Sequence, residues 1–193
     1  MAEDALNIQG FKRCKGEVVM NEVNVYGLFR FKGTLQAHIL RCKGVLSMKG
    51  HLQVDEVLND GRMLINGSIA TIHLISARYL KCQQLVASYA DLMGQVRIDV
   101  LSCDKLLLDF QKHSRIKTIQ AQTVQVKNIH TPHRLYCHSM KANRIQIDHV
   151  KADWVVGEDV NIGPHSHIKH VRYTESLTID PLARVERIEK VNG

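Results

Sequence analysis

Glycines at positions 10 and 16 recur as pairs at 27 and 33, 44 and 50, and 61 and 67. Four consecutive units, GFKRCKG, GLFRFKG, GVLSMKG and GRMLING, therefore begin seventeen residues apart without slippage. A fixed period of this length is the mark of a repeat architecture in which each unit buries its apolar face only by stacking on the next. Aligning the units gives apolar columns. The fifth position reads Cys14, Phe31, Met48, Ile65 and Cys82, and the ninth reads Val18, Leu35, Leu52, Ile69 and Val86. The fourteenth reads Val23, Leu40, Val57 and Leu74 before Asp91 interrupts it. Polar residues fall between these columns, so the alternation has the period of two that belongs to strands and not the 3.6 of a helix.

Each unit therefore holds about three short strands separated by corners, and stacked units repeat at the ~4.8 Å spacing of hydrogen-bonded strands. The fold class this predicts is all-β, a parallel β-helix (β-solenoid) of about ten turns and ~50 Å in length. It forms a single domain over 1–193, with the regular repeats in 10–94. Glycine suits the corners because every stacked turn must repeat the same backbone conformation, including φ > 0 where the bend is sharp. Lys15, Lys32, Lys49 and Asn66, each just before the second glycine, form an exterior file. Beyond residue 94 the rhythm slips by single residues. Strand-like runs continue nonetheless, as in TIQAQTVQVKN, where Ile119, Ala121, Val124 and Val126 face inward.

Aromatic residues are only 5% of the chain, so the core must be filled by Val, Ile and Leu. The start, MAEDALNIQGFK, lacks the basic and apolar segments of a secretory leader, and no run reaches the ~18 apolar residues of a spanning helix. The expected location is the cytoplasm. Five scattered cysteines, never in a C-x-x-C pair, argue for reduced thiols and against a zinc ribbon. The net charge of +7 is compatible with nucleic acid or an anionic membrane surface. Because Lys and Arg are spread around the coil without interleaved aromatics, no nucleic acid is expected.

Among eleven histidines only HTPH (His130, His133) and PHSHIKH (His165, His167, His170) cluster. Neither brings a carboxylate or a well-placed third ligand, so no metal and no cofactor are expected. Asp148, His149 and Asp153 read as exterior or turn positions, and Cys14 and Cys82 as small core hydrophobes. No nucleophile elbow, phosphate loop or carboxylate pair is present, and the chain reads as non-enzymatic. The enzymatic alternative is a left-handed hexapeptide-repeat acyltransferase, whose turns run to roughly eighteen residues. A further alternative is a monomeric solenoid binding module.

A solenoid satisfies the backbone of every turn except its first and last. Neither terminal region shows an amphipathic helix that could cover these edges. Leu6, Ile8 and Phe11 at one end, with Leu177, Ile179 and Val185 at the other, are therefore the candidate surfaces for self-association. Like-on-like contacts would give a non-polar filament, and head-on-tail contacts a polar one.

The segment Val155 to Val191 contains a V-x-I-G-P-x-x-x-I turn (Val160, Ile162, Gly163, Pro164, Ile168). It is followed by V-x-Y-x-x-S-L-x-I-D-P-x-A-x-V (Val171, Tyr173, Ser176, Leu177, Ile179, Asp180, Pro181, Ala183, Val185). This closing segment resembles that of bactofilin-like, polymer-forming cytoskeletal proteins of Gram-positive bacteria. The resemblance implies a right-handed β-helix that polymerises head to head and tail to tail, without nucleotide, into scaffold filaments. It further implies roles in cell shape, cell-wall organisation or motility, with cell-envelope or motility proteins as partners, and a position at the inner face of the membrane. The flexible, proline-rich tails usual in that family are absent here. Leu6, Ile8 and Phe11 offer little apolar area for membrane attachment, which leaves weak attraction through basic charge.

Overall fold

The computed structural model describes residues 3–128 and 132–191. It consists of thirteen strands in one sheet, every pairing parallel: β1 (Glu3–Ile8), β2 (Phe11–Val25), β3 (Leu28–Cys42), β4 (Val45–Asn59), β5 (Arg62–Ser76), β6 (Tyr79–Met93), β7 (Gln95–Asp109), β8 (Ser114–Lys127), β9 (Leu135–Lys141), β10 (Arg144–Ile147), β11 (Val150–Ile162), β12 (His167–Ile179) and β13 (Arg184–Lys190). Successive strands lie on one another in chain order, with β9 and β10 sharing one turn between β8 and β11. The result is a β-solenoid of about 11 turns, one more than the sequence predicts. The difference lies at the two ends, where β1 and β13 each contribute about half a turn.

A single coil shows how the pattern becomes a core. In β3, Phe29 and Phe31 point inward along the first side, Leu35 along the second, and Leu40 and Cys42 along the third, all at 3% exposure or less. Three corners separate these sides. Gly33 makes the first, with φ of 134°, a value that side-chain-bearing residues rarely adopt. The ladder stays paired across this corner, Gly16 to Gly33 to Gly50 to Gly67. For that reason the three short strands predicted per turn run together as one fifteen-residue strand. The second corner projects His38 outward, and the third is the two-residue bend at 43–44. Lys15, Lys32, Lys49 and Asn66 stack in register and stay exposed, as the sequence predicts.

The rhythm loosens because a corner residue is lost. Ile65 pairs with Cys82, seventeen residues on, but Ser68 pairs with Gln84, sixteen on. Asn66 and Gly67 are thus opposed by Gln83 alone, and the sixth turn has no equivalent of the corner glycine. One missing residue exchanges the two faces of everything downstream. The inward column after Ile69 is therefore continued by Leu85 and not Val86, which is 43% exposed. Likewise Ala90, not Asp91, follows Leu74. With these corrections the column is unbroken along the rod: Leu6, Val23, Leu40, Val57, Leu74, Ala90, Leu106, Val124, Ile145, Val160, Leu177. Ile119, Val124 and Val126 are fully inward, and Ala121 packs against the core half-buried.

Candidate functional site

The apolar columns come to an end in two open strand edges. Among the described residues β1 pairs only with β2, and β13 only with β12. The N-terminal edge is formed by β1 and by the part of β2 that β1 does not cover, from Phe11 onward. The C-terminal edge is formed by Ser176–Ile179 of β12 and by β13. Backbone groups on such an edge form an open template for another strand.

The six candidate interface residues divide three to each end. Leu6 and Leu177 terminate one inward column, and Ile8 and Ile179 terminate its neighbour. Val185 terminates the column that Cys14 begins. Leu6, Leu177, Ile179 and Val185 pack on the core but stay half-buried, because no described strand lies on their outer side. Ile8 is 2% exposed and belongs to the core itself. Phe11 faces outward and is 63% exposed, with the Arg30 guanidinium 5.7 Å from its ring centre. Val18 and Ile188 close a further column at the two ends, and sequence periodicity alone does not mark them as end residues.

The edges also carry charge. Arg13, Lys15 and Glu17 lie exposed along the N-terminal edge, and Arg184, Glu186 and Arg187 along the C-terminal edge. Glu186 also accepts from His167 Nε2 at 2.7 Å.

The described histidines of these clusters engage different partners. His167 engages Glu186, and His170 stacks on Trp154 at 4.3 Å between ring centres. His165 packs against His149 at 4.9 Å. His133 meets His113 at 5.0 Å, while His130 lies outside the described residues. No three of His, Cys, Asp or Glu converge as metal ligands among the described residues. Asp153 is a surface group, accepting from His138 and Lys169 at 2.7 Å each. His149 sits at a turn, one of the two placements predicted for it, but is buried there: it is 8% exposed, in the left-handed region at φ 56°, and neither ring nitrogen has a hydrogen-bond partner among the described residues. Burial, with His165 beside it, holds its pKa below the ordinary histidine range.

The third corner carves a groove of about 1160 Å³ along the rod. Gly44, Gly61 and Gly94 lie along it, with Lys43, Arg62, Arg78 and Lys112 around them and Asp60 among them. The basic residues are thus less evenly spread than the sequence suggests. Gathering them requires knowing that the bends at 43–44, 60–61 and 77–78 stack at one phase.

Other exposed polar pairs follow from in-register stacking: His38 with Asp55 and His51 with Ser68, each at 2.7 Å and seventeen residues apart. Cys82 and Cys137 lie in the core, where burial pushes their thiols up to about 12. No helix among the described residues is long and apolar enough to cross a membrane. Comparison with protein-family models, with curated proteins and with solved structures gives no match.

Proposed function

We propose that this chain is a non-enzymatic scaffold that polymerises end to end, without nucleotide, into filaments of the bactofilin-like kind that organise bacterial cell shape, the cell wall or motility. The observation that carries the reading is the state of the two ends. Two open parallel edges, each exposing half-buried members of the inward columns, close a rod whose remaining backbone is paired turn on turn. A second copy satisfies both the unpaired backbone and the uncovered apolar side chains.

The test is negative-stain electron microscopy of the purified protein at physiological salt, on the wild type and on Leu177→Arg and Ile179→Arg. Each substitution places a charge against the end of an apolar column, where it must be desolvated if another copy stacks there. Filaments are expected from the wild type, and single rods with unchanged β circular dichroism from the variants. Single rods from the wild type overturn the reading, and filaments from both variants move the contact away from this edge. The basic groove favours one second reading, a monomeric binding module for an anionic ligand, and that reading predicts single wild-type rods.

A further inference from the structure

We infer that the outer face of the coil's first side binds single-stranded nucleic acid along the rod. The face runs along the length of the molecule, so this goes beyond the reading of the ends and does not depend on it. Stacking at one phase gathers Lys and Arg that lie scattered in the chain. Successive turns place Lys81, Arg97, Arg115, Tyr136 and Lys151 in one outward column, which Arg13 and Arg30 begin. The neighbouring column opens with Lys15, Lys32 and Lys49 and carries Lys117 and Lys169 further on. The acidic residues of these columns, Asp99, Asp153 and Glu186, are held at 2.7 Å by Lys117, Lys169 and His167 of the same face. Among the described residues Arg97, Arg115 and Lys151 have no ion-pair partner of their own. The second side is the contrast: from Thr34 to Gln120 its outward columns hold no Lys, Arg, Asp or Glu.

Both grounds for expecting no nucleic acid change with this placement. The basic residues concentrate on one side, and aromatic rings stand among them. Tyr136, 41% exposed, lies between Arg115 and Lys151 in the basic column. Tyr79 and Phe11 lie in the next outward column, with the Arg62 and Arg30 guanidinium groups at 5.0 Å and 5.7 Å from their ring centres. Depressions of about 430 and 650 Å³ adjoin each other along the face, sharing Arg115, Lys117 and Tyr136. Another of about 350 Å³ lies among Arg13, Arg30, Lys32 and Lys49. A charged furrow with rings beside it suits a single strand, whose backbone follows the charge while its bases stack on the rings. A duplex keeps its bases stacked on one another and leaves Tyr136 nothing to stack on. A bilayer surface uses neither the furrow nor the rings.

The test is fluorescence anisotropy of a labelled oligothymidylate of about 20 nucleotides, longer than the roughly 4–16 that a compact single-strand site covers. Oligouridylate of the same length is titrated beside it, and the tighter binder of the two identifies the sugar. Saturable binding is expected, its logarithm falling with that of salt by about 0.7 per phosphate contacted. Arg97→Glu with Arg115→Glu is expected to weaken binding at least about tenfold at ~0.1 M salt and to lower that slope by about 1.4. Lys105→Glu with Arg144→Glu makes the same change of net charge on the third side, where both residues are exposed, and is expected to leave the affinity unchanged. Tyr136→Ala is expected to weaken binding about fivefold or more, the least that loss of one stacked base costs, and Tyr136→Phe to restore it. Every variant is first required to keep the wild-type β circular dichroism. Equal losses from the two charge variants overturn the inference, because attraction would then follow net charge alone. Wild-type affinity in Tyr136→Ala, or no binding of either oligonucleotide, overturns it as well. Capture of the protein by phosphatidylglycerol vesicles that neither oligonucleotide displaces replaces it with a membrane-facing role. Absence of filaments leaves this inference standing, and absence of oligonucleotide binding leaves polymerisation standing.

Discussion

The two glycine files answer to different forces, and four alanine substitutions separate them. Gly10 has φ outside the left-handed region, and a Cβ at this position would meet no atom within 4 Å, because no described strand lies beneath it. Gly16 has φ of 103° but the same open space. Gly44 needs no left-handed φ, yet its Cβ would stand 2.1 Å from the Gly27 carbonyl oxygen. Gly50 combines both, with φ of 133° and the Gly33 oxygen at 2.1 Å. Alanine at Gly10 should be neutral, or stabilising by up to ~1 kcal/mol through the unfolded chain. At Gly16 only the conformational cost applies, about 1–2 kcal/mol.

At Gly44 the cost is the displacement of a backbone oxygen that already accepts from Val45 N at 2.8 Å. Relieving such overpacking costs about 1–3 kcal/mol. At Gly50 the two effects add to roughly 2–5 kcal/mol. Urea unfolding followed by circular dichroism, with all four variants in an Ile179→Arg background, removes any stability contributed by stacking between copies. The expected order of loss is Gly50 first, then Gly44 and Gly16, then Gly10. Equal losses at Gly10 and Gly50 would refute the claim that glycine is demanded by the coil beneath it. Equal losses at Gly16 and Gly50 would remove the steric part.

Cys14 is half-buried at the N-terminal edge while the other four thiols are buried, so a thiol-reactive chromophore should label one cysteine per native chain quickly and the rest only on unfolding. Assembly through the N-terminal edge covers Cys14, and the quick phase should then disappear from filaments; its persistence counts against a contact at that edge. His149 gives a pH dependence whose sign follows from its lowered pKa. The unfolded chain binds the proton more readily than the folded one, so stability is full above the unfolded value of ~6.5 and falls as pH drops below it. The urea midpoint should fall between about pH 7.5 and about 5.5, a window that brackets that value. The fall should be smaller in His149→Asn, a residue that tolerates the left-handed conformation. Identical pH profiles would show that His149 is not the group responsible.

Much of the coil is legible because the chain states its own period. The columns through Phe31, Leu35 and Leu40 can be read by counting seventeen, and the glycine pairs locate two of the three corners. Reading fails beyond Gly67, where Gln83 alone stands opposite two residues. The chain marks the corner only by losing its glycine, and a lost glycine does not say whether a residue went with it. Yet the missing residue moves Leu85 and Ala90 into places that counting assigns to Val86 and Asp91. The burial of His149 is hidden for a related reason. It sits at the third corner, where turns of different length meet, and its surroundings are set by His165 and Arg134 from adjacent turns.

The ends are the hardest part to read from the chain, and their chemistry explains why. Within the stack an inward Leu is satisfied by the turns above and below it, so Leu40 and Leu177 look alike in sequence. Only the order of stacking reveals that, among the described residues, Leu177 has a stacked neighbour on one side alone. The column that each end residue closes is less visible still, because Leu6 and Leu177 share no turn and are joined only through the register of every turn between them. It emerges when the register is carried through all the turns and each slip at a corner is counted. A slip lengthens or shortens one side of the coil, but the strands on either side of it stay paired column on column. Each edge residue therefore still terminates the column it belongs to, and the match between the two ends survives every irregularity between them.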